Sequence, residues 1–238
     1  MDAKRGFVPE DARDFSDEAL TTLRSASADV RYLLNAGYDM KSSSTFVGNH
    51  FQLSSRQRLA IMRSVSSDRQ ISLRKEKLAE EKELKGRTLS IDGFNTIITL
   101  EVLACGSPLF QCMDGAVRDL AALRGTYRLI PETRQAVVTM LGELRRAGAA
   151  GAEILLDEPV SNSGRLKTFI AETSEETAGP NAPLDLDIRI CRNVDRMLYG
   201  RELVITSDSV IMDKCRSWYD LTGRAVERAG ADLIRVWE

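Results

Sequence analysis

The chain has 238 residues, of which 43% are hydrophobic and 29% are charged, and its formal net charge at pH 7 is −2. This composition excludes disorder as the dominant state, because it provides enough apolar residues for a core. At about 150 residues per domain, the length suggests either one large domain or one domain with a helical extension. We favour the second arrangement.

Several classes of protein are disfavoured by what the sequence lacks. No run of about 18 apolar residues occurs and the first residues lack an apolar stretch, so we expect no membrane span, no secretory signal and a cytoplasmic location. The four cysteines form no C-x-x-C pair, which argues against a zinc cluster and a disulfide framework. The single histidine, His50, argues against catalytic triads and two-histidine metal sites. An enzymatic site would therefore depend on carboxylates.

Charge divides the chain into two parts. Residues 1–87 carry 16 basic and 13 acidic side chains, whereas residues 88–238 carry 17 basic and 22 acidic ones. Within the first part, residues 41–87 hold 11 basic and 5 acidic side chains. This positive potential suits a polyanionic partner, and a solvated helical face of mixed charge is the alternative.

Residues 1–68 are predicted to form a small all-α domain. Leucine and valine recur at helical spacing after Ser16, which can cap a first helix that ends at Gly37. Two shorter helices are predicted to begin near Lys41 and Ser54, separated by a Gly-Asn turn.

The two shorter helices have the outline of a helix-turn-helix. In such a motif, Arg56 and Arg58 would lie near the start of the second helix and would contact nucleic acid. A helical hairpin without any nucleic-acid role is the alternative interpretation.

A charged stretch connects this part to the remainder of the chain. Residues 69–86 contain sparse leucines and no aromatic residue, which indicates a partly helical linker. In residues 87–238, short apolar segments alternate with amphipathic helices, which predicts an α/β domain with a mostly parallel sheet flanked by helices. The predicted strands lie at 88–91, 153–157, 184–191 and 202–206.

Aspartates follow these predicted strands. Asp92, Asp157 and Asp208 come at or just after strand ends, and Asp195 lies shortly after the third strand. Because open parallel sheets bind ligands beyond the carboxyl ends of their strands, we expect the four side chains to converge on one edge. Clustered carboxylates repel one another unless a hard cation neutralises them, which would imply Mg²⁺ or Mn²⁺. Taken singly, each aspartate is equally consistent with an ordinary helix N-cap.

A polar turn follows the second predicted strand. Ser161, Asn162 and Ser163 precede a predicted helix that also carries Arg165 and Lys167. Backbone N–H groups at a helix start, together with two cations, suit a phosphate, so these five residues are candidate contacts to a nucleic-acid backbone. A helix cap with exposed cations is the alternative.

Three short segments resemble the signature of the PIN-like superfamily, in particular its NYN branch. They are residues 91–95 (IDGFN), 193–198 (NVDRML) and 203–209 (LVITSDS), and the resemblance spans residues 88–216. It implies a Rossmann-like fold and a metal-dependent ribonuclease. The N-terminal part, through residues 47–49 and 53–58, is similar to the leading segment of an archaeal family of unknown function, which implies no activity.

The resemblance also implies roles for individual residues. Asp92, Asp195 and Asp208 would be metal ligands, and Asn95 would position the substrate or a metal-bound water. Asp157 and Asp213 are candidates for the remaining acid at the metal. Some members of the superfamily carry one more acid on a helix, and four residues remain open for that place: Glu101, Asp114, Asp119 and Glu132.

Together these interpretations predict a Mg²⁺- or Mn²⁺-dependent nuclease that hydrolyses phosphodiester bonds, of RNA rather than DNA. Because PIN-like domains commonly pair, a homodimer is a further expectation. The alternative is a non-catalytic nucleic-acid or protein-binding module with the same fold. A haloacid dehalogenase type of phosphatase with Asp92 as nucleophile is disfavoured, because Phe94 stands where that chemistry needs a second aspartate.

Overall fold

The computed structural model describes residues 4–122, 125–178 and 184–238. Within these ranges five strands form a sheet in the order β5-β4-β1-β6-β7 with all neighbours parallel, and two further strands, β2 and β3, form an antiparallel hairpin. The strands are β1 (Thr88–Asp92), β2 (Leu109–Gln111), β3 (Val117–Asp119), β4 (Gly151–Asp157), β5 (Asp185–Cys191), β6 (Val204–Ile205) and β7 (Trp218–Tyr219).

Helices precede and surround the sheet. The N-terminal ones are α1 (Asp11–Asp14), α2 (Asp17–Asn35), α3 (Met40–His50), α4 (Ser55–Ser64) and α5 (Asp68–Glu76), followed by a 3₁₀ turn at Glu81–Leu84. Those of the second part are α6 (Gly93–Ala104), α7 (Thr133–Arg146), α8 (Ser163–Glu176), α9 (Val194–Leu198), α10 (Ser209–Lys214) and α11 (Leu221–Ala229). In the described ranges, no helix combines the length and apolar composition that a membrane crossing requires.

The three helices predicted in the N-terminal part are confirmed, but the predicted Gly-Asn turn is wrong, because Gly48 and Asn49 lie within α3. Ser16 caps α2 by accepting a hydrogen bond from the Ala19 N–H at 3.3 Å. Ser54 caps α4 in a reciprocal capping box with Gln57, in which each side chain accepts from the other residue's backbone N–H. Side-chain acceptors of this kind satisfy N–H groups that a helix start leaves without partners, which is why the caps mark the helix boundaries.

The helical part shares its core with the second part of the chain. Leu23 and Val30 of α2 are fully buried in one apolar cluster with Phe110 of β2, and the cluster also includes Leu120 and Val236. Removing the helices would therefore expose the hairpin and the C-terminal segment. The helical part is packed onto the α/β part along this cluster.

The stretch predicted as a charged linker, residues 69–86, is a packed connection in the structure. Arg74 of α5 is 2% exposed and ion-paired, and Leu84 is fully buried in the main core. Arg74, one of the charged residues that suggested a solvated linker, is buried because it forms ion pairs with Asp114 and Asp213 of the second part of the chain. The helix content was predicted correctly, but the packing was not.

The strand order defines where a ligand site is expected. From the central strand β1, the chain first adds β4 and β5 on one side and then crosses to add β6 and β7 on the other. The direction of winding therefore reverses between β1 and β6, and in open α/β sheets ligands bind at the carboxyl ends of the strands at such a switch point. The predicted α/β class and parallel sheet are confirmed. Strands β2, β3 and β7, of two or three residues each, were missed.

Gly93, the first residue of α6, brings that helix close to β4. A Cβ at Gly93 would lie 2.7 Å from Leu156 Cδ2 and 2.8 Å from the Leu155 carbonyl oxygen. Because a carbonyl of the sheet cannot move independently, we expect Gly93→Ala to lower the free energy of unfolding by about 1–3 kcal/mol in denaturant titrations. Gly164→Ala in α8 is the matched control, since nothing lies within 4 Å of its added Cβ. Equal losses in the two variants would contradict this explanation.

Candidate functional site

Four aspartates lie at the carboxyl edge of the sheet. Asp92 ends β1, Asp157 ends β4, and Asp208 caps α10 three residues after β6 ends at Ile205. Asp195 lies in the first turn of α9, which follows β5. We call these four residues the acidic edge. It includes both sides of the switch point, because β1 and β6 are neighbours in the sheet.

Asp92 is the buried member of the acidic edge. Its side chain accepts a hydrogen bond from the Thr206 hydroxyl at 2.9 Å, and the residue is 6% exposed. Burial raises the pKa of Asp92, and the hydrogen bond from Thr206 partly opposes this shift. The negative charges of three neighbouring carboxylates, those of Asp208, Asp157 and Asp195, raise the pKa further, to about 8. A carboxyl group in this state is neutral near pH 7 unless a counter-charge is supplied.

The other three aspartates are electrostatically linked to Asp92 and to one another. Burial and the charge of Asp195 raise the pKa of Asp157, against a hydrogen bond from the Val194 N–H. Partial burial and the charge of Asp208 raise the pKa of Asp195. Asp157, Asp195 and Asp208 therefore each make ionisation of at least one other member of the acidic edge less favourable.

The loop after β6 is tied to α6 by Asn95. The Asn95 Oδ1 accepts hydrogen bonds from the Ser207 N–H at 2.9 Å and from the Ser207 hydroxyl at 2.8 Å. Thr206 Oγ1 accepts from the Asp208 N–H at 3.0 Å while donating to Asp92. Among the residues that the structure describes, the Asn95 amide nitrogen has no partner. It is therefore available to donate to a ligand at the edge.

The donor chemistry of the acidic edge suits a hard cation. In the described part of the chain, no group of three or more His, Cys, Asp or Glu side chains is arranged as a ready metal site. Aspartate oxygens are nevertheless the ligands that Mg²⁺ and Mn²⁺ prefer, and a cation would offset the repulsion that raises the pKa of Asp92. The expectation of Mg²⁺ or Mn²⁺ stays a prediction.

Asp213 is held apart from the acidic edge by an arginine. Its two carboxylate oxygens accept hydrogen bonds from Arg74 Nε at 2.7 Å and from Arg74 Nη2 at 3.0 Å. The structure therefore corrects the expectation that Asp213 completes the metal site, because its carboxylate is already neutralised by a bidentate ion pair.

Glu101 is one of the four residues considered for the further acid of the site. It is fully buried in a polar cluster away from the acidic edge. Its side chain is 2.5 Å from Arg5 Nη1 and accepts from the Tyr127 hydroxyl at 2.7 Å. Asp119 accepts from the Thr99 hydroxyl at 2.8 Å, and Thr99 lies one helical turn after Asn95. Through Thr99, Asp119 is connected to the residues at the start of α6, whereas Glu101 has no such connection.

The polar side chains of the turn after β4 mainly form hydrogen bonds within the protein. The Ser161 hydroxyl accepts from the Tyr127 N–H at 2.9 Å, and the Asn162 amide donates to the Tyr127 carbonyl at 2.6 Å. The Ser163 hydroxyl donates to the Asp157 carbonyl at 2.9 Å. These three side chains have internal partners, so they stabilise the turn, and their role as contacts to a nucleic-acid backbone stays a prediction.

The two cations of that turn remain accessible. Arg165 and Lys167 are exposed, and Arg165 lines a cleft of about 630 Å³ together with Arg128 and Phe169. Their role as contacts to a nucleic-acid backbone stays a prediction.

Arg56 and Arg58 are structural in this fold. Arg56 is ion-paired with Asp11 at 2.7 Å and donates to the Leu120 carbonyl at 2.6 Å. Arg58 donates to the carbonyls of Leu53, at 2.9 Å, and of Gly48, at 2.7 Å. Both residues are half-buried and their guanidinium groups are engaged by acceptors inside the fold, so the structure uses them as internal contacts and not as free cations at a helix start.

The residue that sequence reasoning missed is Arg118 of β3, which is 3% exposed. It donates to the Asp114 carboxylate at 2.7 and 3.0 Å and to the Ser207 carbonyl at 2.6 Å, next to Asp208. It also donates to the Arg63 carbonyl at 3.0 Å, at the end of α4. Arg118 thus joins the helical part to the acidic edge. No sequence signal identified it, since a lone arginine in a short strand suggests exposure.

The fold and the site define a class of protein: a parallel α/β protein with clustered aspartates at its topological switch point. Residues 81–224 match a domain of unknown function (DUF5616), and residues 22–77 match a protein of unknown function (DUF434). The chain is 36% identical over 208 residues to an uncharacterized protein of Methanocaldococcus jannaschii, covering 87% of this chain and 97% of that relative. No solved structure matches it significantly. The chain belongs to the DUF5616 family.

Proposed function

We propose that this protein is a Mg²⁺- or Mn²⁺-dependent nuclease that hydrolyses phosphodiester bonds, of RNA in preference to DNA. The observation that carries the proposal is the placement of Asp92, Asp157, Asp195 and Asp208 at the carboxyl edge of a parallel sheet, beside its switch point. The charges of the other three act on the buried Asp92. The PIN-like resemblance of residues 88–216 supports the same activity.

Each residue of the site has a role in this proposal. Asp92, Asp195 and Asp208 would hold the cation, with Asp157 as the additional carboxylate. Asn95 would donate from its amide nitrogen to a substrate oxygen while its Oδ1 fixes the loop at Ser207. A bound cation would polarise the scissile phosphate and lower the pKa of the attacking water.

The test is turnover of labelled single-stranded and structured RNA, and of matching DNA, as Mg²⁺ or Mn²⁺ is titrated. We expect cleavage by the wild type and its loss in Asp92→Asn and Asp208→Asn, because an amide is a poor substitute for a charged ligand. Asn at position 92 can still accept from Thr206, so the fold should persist. Asp232→Asn, which removes an exposed carboxylate, is the matched control and should cleave normally.

Two outcomes would contradict the proposal. Cleavage that persists in both edge variants would place the activity elsewhere. Absence of cleavage on every substrate, with salt-sensitive RNA binding retained, would favour the non-catalytic binding module instead.

A further inference from the structure

A groove of about 670 Å³ lies between the helical part and α10. We call it the helical groove. Residues from four places in the chain define it: Tyr38 before α3, Met62 and Arg63 of α4, Arg69 and Leu73 of α5, and Ser209 of α10. It is therefore lined by both of the regions that match families, residues 22–77 and residues 81–224.

The helical groove carries two arginines without acidic partners. Within the described residues, the side chains of Arg63 and Arg69 form no salt bridge and no hydrogen bond. The two acids that line the groove are already engaged: Asp213 is ion-paired with Arg74, and Asp39 accepts from the Ser42 N–H at 3.0 Å as the cap of α3. Two arginines therefore face a single carboxylate that no cation neutralises, that of Asp39, so the net charge of the groove is positive. Guanidinium groups bind phosphate in a bidentate manner.

Exposed aromatic and apolar surface lies beside these cations. Tyr38 is 61% exposed, Met62 is 45% exposed and Leu73 is 36% exposed. A positively charged groove with an accessible aromatic ring is the combination that binds unpaired nucleic-acid strands, because phosphates contact the cations and bases stack on the ring.

One end of the helical groove meets the acidic edge. Ser209 lines the groove and directly follows Asp208. Arg118 donates to the carbonyls of both Ser207 and Arg63, so the edge and the groove wall are attached to one buried side chain. A strand lying in the groove would therefore be directed toward the proposed cleavage site.

We propose that the helical groove binds a single nucleic-acid strand. Arg63 and Arg69 contact backbone phosphates, and Tyr38 stacks on an unpaired base. The inference rests on the proposed function for the nature of the substrate, but strand binding in the groove does not require cleavage.

The test is binding of short labelled single strands, RNA and DNA in parallel, to the full chain in EDTA so that cleavage does not intervene. Tyr38→Ala is expected to weaken binding about tenfold through lost stacking, whereas Tyr38→Phe should bind like the wild type. The double variant Arg63→Ala/Arg69→Ala should reduce the slope of log K against log salt by about 1.4, at about 0.7 per phosphate contact. Arg24→Ala, an exposed arginine of α2 outside the groove, should leave the slope unchanged.

Unchanged affinity and salt slope in the groove variants would overturn the inference, as would stronger binding of a duplex than of a single strand. The failures of the two proposals are distinguishable. Strand binding lost in the groove variants, with no cleavage by the wild type, would support the groove and contradict the nuclease. If the wild type cleaves and the groove variants cleave with unchanged KM, the nuclease is supported and the role of the groove is contradicted.

Discussion

Between about pH 5 and about pH 9 in metal-free buffer, the free energy of unfolding of the wild type should fall by on the order of 4 kcal/mol relative to that of Asp92→Asn. The pKa of Asp92 is raised to about 8 from a usual value of 3.8, mainly by burial. The folded state therefore retains a proton that the unfolded chain releases. As the pH rises through this window the wild type loses stability, whereas a neutral asparagine does not titrate.

The measurement is thermal unfolding of both proteins in EDTA at the two pH values. From the lower to the higher pH, the Tm of Asp92→Asn should rise relative to that of the wild type by roughly 10 °C. Asp232→Asn should follow the wild type at both values, since its carboxylate is exposed. Parallel pH profiles for the wild type and Asp92→Asn would show that the charge at position 92 is already compensated, and would contradict the explanation.

Replacement of Arg118 by methionine should lower the free energy of unfolding by about 3–5 kcal/mol, because it removes one partner from a buried ion pair. Asp114, which is fully buried, would retain Arg74 as its remaining cation. Burial raises the pKa of Asp114, but the charges and hydrogen bonds of Arg118 and Arg74 outweigh it and hold that pKa below its usual value. The carbonyls of Ser207 and Arg63 would also lose their donor.

Denaturant titration with two comparison variants identifies the cause of this loss. Arg63→Met makes the same chemical change at a half-buried position whose carbonyl still accepts from Arg118, so it should be nearly neutral for stability. In Arg118→Met/Asp114→Asn both partners of the ion pair are removed, so the loss should be smaller than the sum of the losses in Arg118→Met and Asp114→Asn measured singly. Strict additivity would mean that the two residues do not interact as the structure shows.

The acidic edge illustrates how far local sequence information reaches. The ends of the strands that precede these aspartates could be predicted, because a short apolar run followed by an aspartate is typical of a strand and a turn. That Asp92 and Asp157 lie at the same edge follows once the sheet is parallel, because both end their strands; that β1 and β4 are neighbours, with Asp92 opposite Leu155, required the structure. The position of Asp208 beside Asp92 required the strand order, which local periodicity does not encode.

The basic residues were harder to interpret. Arg56 and Arg58 looked like contacts at a helix start, but their guanidinium groups satisfy carbonyls of neighbouring segments. Arg63 and Arg69 had no motif, yet they line the helical groove. A long cationic side chain can reach an internal acceptor or solvent equally well, and only the packing of the surrounding elements determines which it does.

The sequence by itself determined the helices of the N-terminal part, the parallel α/β character of the second part and the aspartates at its strand ends. These depend on interactions within a few residues: caps, apolar spacing and turns. The tertiary structure alone decided that residues 69–86 pack as a connection, that Arg118 joins the two parts, and that the helical groove adjoins the acidic edge. Those features depend on contacts between distant segments, such as Arg74 with Asp213 and Arg118 with Ser207, which no local pattern records.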